Sequence, residues 1–291
     1  MNRSLGSARW MPYLLLAPFL LVFTVFLVYP LYRSAVLACS QTFGPTRHVW
    51  VGFDNFLNMA RDPDFWTALK NTAIFTAASV LIQLPLALGL ALILNRPGLR
   101  GRAIFRLIFF MPSLVGLVFV AMMFGLMLDE HDGLVNVLLR AVIPHFPGEF
   151  PWLEHYVMAS LILASLWIYA GFNMVYFLAA LQSVNQDSLD AAAIDGANVW
   201  QRFIYVIMPE IRPVLGFVVL LSVIGSLQLF ELPFVMLSGA GPENSGLTMV
   251  MYLYEKGFQH NDLGFASAIG WTLTILLVGI ALAQRRLTRH E

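Results

Sequence analysis

Six histidines, one cysteine and seventeen carboxylates are the residues of this 291-residue sequence that could do acid–base, nucleophilic or metal chemistry. The histidines (His48, His131, His145, His155, His260 and His290) all fall in polar stretches or at the end of the chain. Glu231 is the one carboxylate well inside an apolar run, and a single acid lacks the partner that general acid–base work needs. The apolar runs hold no Ser/His couple and no metal-ligand set. The phosphate-cradling pattern G-x-x-x-x-G-K-[ST] occurs nowhere in the sequence, so no P-loop nucleotide site is encoded. Cys39 alone rules out an internal disulfide and a cysteine-based metal cluster. The expectation is a chain without catalytic residues, without a metal and without a cofactor of its own.

A second set of residues could bind rather than react. Ser165, Tyr169, Phe172 and Tyr176 recur at three-to-four spacing and form one helical stripe. Ser222 and Ser226 stand one turn apart, and Gln228 and Glu231 read as an i, i+3 pair on a neighbouring face. Polar groups at membrane depth usually face the bundle interior. Such residues also serve as helix-to-helix hydrogen bonds or interfacial anchors, and both readings stand at this stage. Glu231 either accepts from a bound solute or holds an outer gate, the gate being the better fit for an isolated carboxylate.

Composition supplies the elements that must position these groups. Fifty-nine per cent of the residues are hydrophobic and 12% charged, with zero formal net charge, against roughly 25% charged in soluble domains. A bilayer crossing needs roughly 20 apolar residues. Six runs qualify: Met11 to Tyr32, Thr72 to Leu94, Leu107 to Leu128, Tyr156 to Leu181, Val214 to Leu237 and Phe265 to Ala283. Pro18, Pro85 and Pro112 interrupt three of them, which a bundle tolerates. With both termini on one side, that side collects Arg3, Arg9, Arg96, Arg100, Arg102, Arg106, Arg202, Arg212, Arg285, Arg286 and Arg289, eleven of the seventeen basic residues. The other six are Arg33, Arg47, Arg61, Lys70, Arg140 and Lys256, so both termini are expected in the cytoplasm. Arg96, Arg100, Arg102 and Arg106 read as positive-inside anchors. The first span reads as uncleaved and Cys39 as an ordinary interfacial residue, because Pro30 and Arg33 precede the cysteine and more spans follow.

Between the fourth and fifth runs lies "LDAAAIDGANVWQRFIYVIMPE", Leu189 to Glu210, polar and helix-prone in an otherwise lipid-soluble chain. It predicts two short helices on the cytoplasmic face. Asp187 or Ser188 caps the first, Ala191 to Ala193 keep it slim, and Gly196 turns the chain. The second passes through Trp200, Phe203 and Val206 until Pro209 breaks it, with Phe203, Ile204 and Ile207 facing the bundle. The product is a small knob shaped for a partner's groove.

The spacing of this loop resembles the EAA loop of permease subunits of binding-protein-dependent ABC importers: acid, Ala, Ala, three residues, Gly, nine residues, aliphatic, one residue, aliphatic, Pro. Here these are Asp190, Ala191, Ala192, Gly196, Val206, Met208 and Pro209, with Asp195 beside the glycine. Asp stands for the usual Glu, and Val and Met for Ile and Leu. "VGFDNFLNMARDPDFWTALKNTAIFT", "IFFMPSLVG", "LAALQSVNQDSLDAAAIDGA" and "LSGAGPENSGLTMVMYLYEKGFQHNDLGFASAIG" are similar, in order, to segments of carbohydrate-type permeases. The first-loop wording resembles the first permease of a sugar or glycerol-phosphate pair more than the second.

The resemblance implies an all-α membrane protein of six transmembrane helices with the type I ABC importer permease fold, in a bacterial or archaeal cytoplasmic membrane. It divides into residues 1–66 (first helix and outer loop), 67–284 (five-helix core with the EAA loop at 186–210) and 285–291 (a basic tail). It implies a second permease subunit in a heterodimer, two ATP-binding cassette subunits holding ATP and Mg, and a periplasmic or lipid-anchored solute-binding protein, with no nucleic-acid partner. Spans four and five would line the path, where the stripe's aromatic faces and hydroxyls suit a di- or oligosaccharide. The competing reading is a stand-alone secondary transporter or channel, which would call for more ionisable groups inside the spans than Glu231.

Overall fold

The computed structural model describes residues 11–43, 47–96, 98–147 and 149–289. Arg3, Arg9, His290 and the end of the proposed tail lie outside them. The regular structure among the described residues is helical apart from one antiparallel ribbon, Ser40–Phe43 paired with Arg47–Trp50 in the register Ser40↔Trp50. We number the helices α1 (Tyr13–Ala38), α2 (Asp54–Arg61), α3 (Pro63–Leu94), α4 (Arg102–Leu114), α5 (Leu117–Met127) and α6 (Leu134–Val142). They continue as α7 (Val157–Gln182), α8 (Gln186–Ile194), α9 (Val199–Leu227), α10 (Glu231–Met236), α11 (Met249–Tyr254) and α12 (Leu263–Arg289). Five of these, α1, α3, α7, α9 and α12, are long and apolar enough to cross a bilayer.

The remaining apolar run folds as the pair α4 and α5, bent by 95°. The run Leu107 to Leu128 is therefore not one straight helix. Pro112 tightens the end of α4 into a 3₁₀ turn, and Val115 and Gly116 adopt extended backbone before α5 starts. Proline lacks the amide that would continue the helix.

Other prolines are absorbed instead. Pro30, Pro85 and Pro209 each follow a five-residue π turn, Thr24–Val28, Ser79–Gln83 and Phe203–Ile207. In each case the residue just before the proline donates across the widened turn, to Thr24 O, Ser79 O and Phe203 O. A proline ring clashes with the carbonyl four residues back, and one extra residue in the turn moves that carbonyl aside. Pro209 therefore does not end the helix, as the sequence reading expected, and α9 runs unbroken from Val199 to Leu227. The fifth run is corrected at its far end too, where the chain leaves the helix at Gln228 and re-enters a separate one at Glu231.

The described residues form two units. One holds residues 11–61 and 253–272. In it Asn55 donates to the carbonyls of Ala38 and Ser40, both at 2.9 Å, locking α2 to the end of α1. Thr42 donates to Asp262 and accepts from the amide of Gly264, each at 3.0 Å. A Cβ at Gly264 would overlap the Ser40 carbonyl, so only glycine permits that approach. Helix α1 buries nothing across its apolar window, as suits lipid or another subunit on all sides.

The second unit, residues 62–252 and 273–289, holds the bundle core. Asp62 caps α3 by accepting from the amide of Asp64, with Pro63 at the first helical position. Arg102 donates to the Leu94 carbonyl and to Asn95 Oδ1 (3.1 Å), so this basic residue also caps the end of α3. Beyond α5, fully buried Asn136 donates to the carbonyls of Asp129, Glu130 and Phe150 and accepts from Trp152 Nε1 at 2.8 Å. The amides of Asp132 and His131 hold the Asp129 carboxyl below its ordinary range. Tyr252 donates to Asp62 at 2.7 Å, and burial, followed by that carboxylate, keeps the phenol protonated.

Gly171 fixes how α4 crosses α7, since a Cβ there would overlap the Phe109 carbonyl. Gly171→Val should destabilise the bundle by about 1–3 kcal/mol or more, the range for overpacking. Gly89→Ala, at a position with nothing within 4 Å of the added carbon, should leave stability unchanged or slightly raised. Thermal unfolding of the two purified variants in detergent checks the contrast.

Candidate functional site

Two apolar cores lie along the second unit. One joins Phe75 on α3, Val120, Ala121 and Phe124 on α5, Leu161, Ala164 and Ile168 on α7, and Leu229. The other joins Leu84, Ala87 and Ala91 on α3, Met174 and Phe177 on α7, and Ile211 and Val218 on α9. Helices α3 and α7 contribute to both cores, and polar residues collect on them between the two contributions. Phe75, Ser79 and Gln83 of α3, Tyr169, Phe172 and Asn173 of α7, and Leu221, Ser222, Gly225 and Ser226 of α9 enclose a cavity of about 130 Å³ with Leu229.

The layer is cross-linked through side chains. Ser79 Oγ lies 2.6 Å from Ser222 Oγ, joining α3 to α9. Ser165 donates to Gln83 Oε1 at 3.4 Å and to the Ile162 carbonyl at 3.1 Å, joining α7 to α3. At one end, Thr248 donates to the Leu229 carbonyl at 2.6 Å, and Asn71 donates to the carbonyls of Asn244 and Leu247 at 3.0 Å. These bonds pin the segment before α11 against α3.

Of the residues expected from sequence, Tyr169, Phe172, Ser222 and Ser226 line the cavity. Ser165 is buried outside the lining and donates to Gln83, which belongs to it. Tyr176 is a packing residue, edge-on to Phe172 and Phe217 at 5.3 and 6.0 Å. Gln228 and Glu231 are both exposed and outside the lining. Their helical pairing fails because α9 ends at Leu227, so no shared helix holds them three residues apart. Sequence reasoning missed Phe75, Ser79, Gln83 and Asn173. Ser79 and Gln83 are an i, i+4 polar pair in the second run, the same signal used for Ser222 and Ser226.

The loop is built as two helices with different caps from those expected. Asn185, not Asp187 or Ser188, caps α8, accepting from the Asp187 amide at 2.8 Å. The amides of Gly196 and Ala197 return to the carbonyls of Ala193 and Ala192, a Schellman closure with Gly196 at φ +81°. Asn198 and Gln201 form a reciprocal capping box at the start of α9. Glu210 accepts from the Asn185 amide at 2.9 Å and closes the loop on itself, a role the sequence reading did not give it. Asp190 accepts from Gln186 at 3.2 Å. Ala191 and Asp195 are exposed and Ala192 half-buried, while Val206, Ile207 and Met208 are half-buried and Pro209 is exposed. Ile207 and Met208 pack on the core, whereas Ile204 points outward. The outer face carries Ile194, Val199, Trp200 and Tyr205, with Ile194 87% and Trp200 67% exposed.

The family described as the inner membrane component of binding-protein-dependent transport systems matches residues 83–290. The chain belongs to this family. The permease is 36% identical to the arabinooligosaccharides transport system permease protein AraP of Halalkalibacterium halodurans, over 97% of this chain and 89% of that protein. It is 35% identical to the lactose transport system permease protein LacF of Rhizobium radiobacter, over 94% of this chain and 92% of the relative. A chain of the crystal structure of a bacterial alginate ABC transporter, in complex with an alginate pentasaccharide-bound periplasmic protein, superposes with a TM-score of 0.84. That match is 24% identical and covers 97% of this permease and 94% of the other chain, which shows the shared fold. Membership makes the chain a multi-pass inner-membrane permease subunit of an ABC importer and removes the stand-alone transporter from consideration.

The Ser79–Ser222 contact yields a quantitative expectation. A double-mutant cycle of Ser79→Ala and Ser222→Ala should return a coupling of about 0.6–1.7 kcal/mol, the scale of interhelical polar pairs in membranes. Reversible unfolding of the two single variants and the double in detergent micelles measures it.

Proposed function

We propose that this permease passes a di- or oligosaccharide across the membrane, driven by separate ATPase subunits that push on the loop at residues 186–210. The observation that carries the proposal is the continuity of α9, which bears Val199 and Trp200 at its loop end and Leu221, Ser222, Gly225 and Ser226 on the cavity wall. In this reading a displacement of the knob is passed along that helix to the cavity wall. In this reading ATP and Mg are held by two cassette subunits, a second permease completes the path as a heterodimer, and a solute-binding protein delivers the sugar outside. Both termini lie in the cytoplasm, residues 67–284 form the transporting core, and residues 285–291 form the tail.

The substrate class follows from the wall's chemistry and from relatives named for arabinooligosaccharides and lactose. Phe75, Tyr169 and Phe172 offer ring faces, and Ser79, Gln83, Asn173, Ser222 and Ser226 offer hydroxyls and amides to sugar hydroxyls. At about 130 Å³ the cavity is well below the roughly 300–1,000 Å³ of small-molecule sites. Passage therefore requires α9 to part from α3 and α7, and the Ser79–Ser222 contact is the one to open. A ligand drives that change only through its differential affinity for the two states, which nucleotide in the cassette subunits supplies.

Trp200 is the aromatic anchor of the exposed face, and truncating such an anchor costs about 2 kcal/mol or more at an interface. Trp200→Ala should weaken capture of the ATPase subunit at least about thirtyfold while the bundle elutes normally. Gly196→Asp has room for its side chain but must hold positive φ; it should abolish ATP-dependent sugar uptake in vesicles. Uptake that persists in both variants, or without any ATPase, sinks the coupling role of the loop.

A further inference from the structure

Between α5 and α7 the chain forms the short helix α6 and ties it down at both ends of the connection. A Cβ at Gly133, just ahead of α6, would overlap the Asp129 carbonyl, so the first turn rests on the backbone that leaves α5. Asn136 binds the next turn to the carbonyls of Asp129 and Glu130 on that side, at 3.2 and 3.0 Å, and to the Phe150 carbonyl on the side leading into α7, at 3.2 Å. Helix α6 therefore lies at the level where α5 ends and α7 begins, at the membrane face remote from the loop that follows α7. One side of the helix is occupied by this anchorage. The other presents Leu134, Val137, Leu138, Ala141 and Val142, spaced i, i+3, i+4, i+7 and i+8 and all exposed, Val142 at 78%. A contiguous apolar stripe of this kind marks an interaction site.

We propose that α6 is an interfacial helix whose apolar stripe lies in the lipid at the headgroup–acyl boundary, with the bilayer surface as its partner. An amphipathic helix at that level buries its apolar face roughly 5–10 Å into the boundary. Three features of the structure choose lipid over a protein partner. The stripe holds only leucine, valine and alanine, whereas protein interfaces concentrate their energy in Trp, Tyr and Arg; a fluid acyl phase needs no such anchor. Aromatic residues stand beside the helix instead, at the depth where Trp and Tyr favour the headgroups. There Phe150 packs on Trp152 at 4.5 Å and on Tyr156 at 5.0 Å, and Tyr156, the last residue before α7, is exposed. The apolar surface also continues into the span, where Phe119, Met122 and Leu126 of α5 are exposed at helical spacing. The surface is separate from the polar cavity and from the loop at residues 186–210, and it does not depend on which solute the permease carries.

Site-directed spin labelling tests this in the assembled importer, held in nanodiscs of phosphatidylcholine and phosphatidylglycerol, with Cys39→Ser in the permease and cysteine-free partner subunits. Nitroxides are attached at Leu138→Cys and Val142→Cys on the stripe and at Asp132→Cys, an exposed position ahead of α6, as the reference in water. Collisions with dissolved oxygen and with a water-soluble nickel chelate are then measured. Relative to Asp132→Cys, both stripe labels should lose collisions with the chelate and gain collisions with oxygen, the pattern of a label in acyl chains. If Leu138→Cys does not assemble, Val142→Cys decides alone. Chelate collisions as frequent as at Asp132→Cys would place the stripe in water and overturn the proposal. So would an immobilised label shielded from both oxygen and chelate, which is the result expected if a second permease or a solute-binding protein covers the stripe.

Discussion

A helix that meets a proline and continues is the constraint on which this permease depends. Proline removes one backbone donor and drives its ring at the carbonyl below, and the usual result is a kink or a stop. At Pro209 the chain instead spends one extra residue in the Phe203–Ile207 turn, and the helix resumes. The loop and the cavity wall therefore belong to one continuous helix, α9. The same solution at Pro85 places a π turn at Ser79–Gln83, so two of the cavity's polar residues come from a widened turn. Such turns concentrate at functional sites because they re-aim side chains without breaking the helix.

The polar layer between the two cores follows from a second cost. Hydroxyls and amides at membrane depth are expensive unless paired or wetted, and Ser79, Ser222, Ser165 and Gln83 meet that cost by bonding to one another. These bonds are modest one by one. A layer held by modest bonds between two well-packed cores is where three helices part most cheaply, which a path that opens and closes needs. The close approach at Gly171 and the pinned segment at Asn71 and Thr248 keep the surrounding helices fixed.

Much of this was legible in the sequence. Hydropathy located the five helices long and apolar enough to cross and the bent α4–α5 pair, and the spacing from Asp190 to Pro209 pointed to the family. The failures have a common cause, in that backbone geometry at a helix end is decided by atoms the one-letter pattern does not carry. Pro209 read as a breaker because the pattern cannot announce a π turn, whereas Pro112 does end a helix because a 3₁₀ turn and two extended residues follow it. Gln228 and Glu231 looked like a pair because the apolar run continues past Leu227 while the helix does not. Ser79 and Gln83 were visible as an i, i+4 pair but lay outside the spans considered for the path. The caps were misplaced by two or three residues, since several of Asn185, Asp187 and Ser188 satisfy the same preference.

The most direct test of the account measures whether α9 moves as one piece. Spin-label pairs in a Cys39→Ser background, one along α9 at Val199 and Leu221 and one across the cavity at Phe172 and Leu221, report distances in the assembled importer with and without ATP. The account predicts an unchanged distance along the helix and an altered distance across the cavity. A cavity distance indifferent to nucleotide, or an α9 that bends at Phe203–Ile207 while its cavity end stays still, would contradict it.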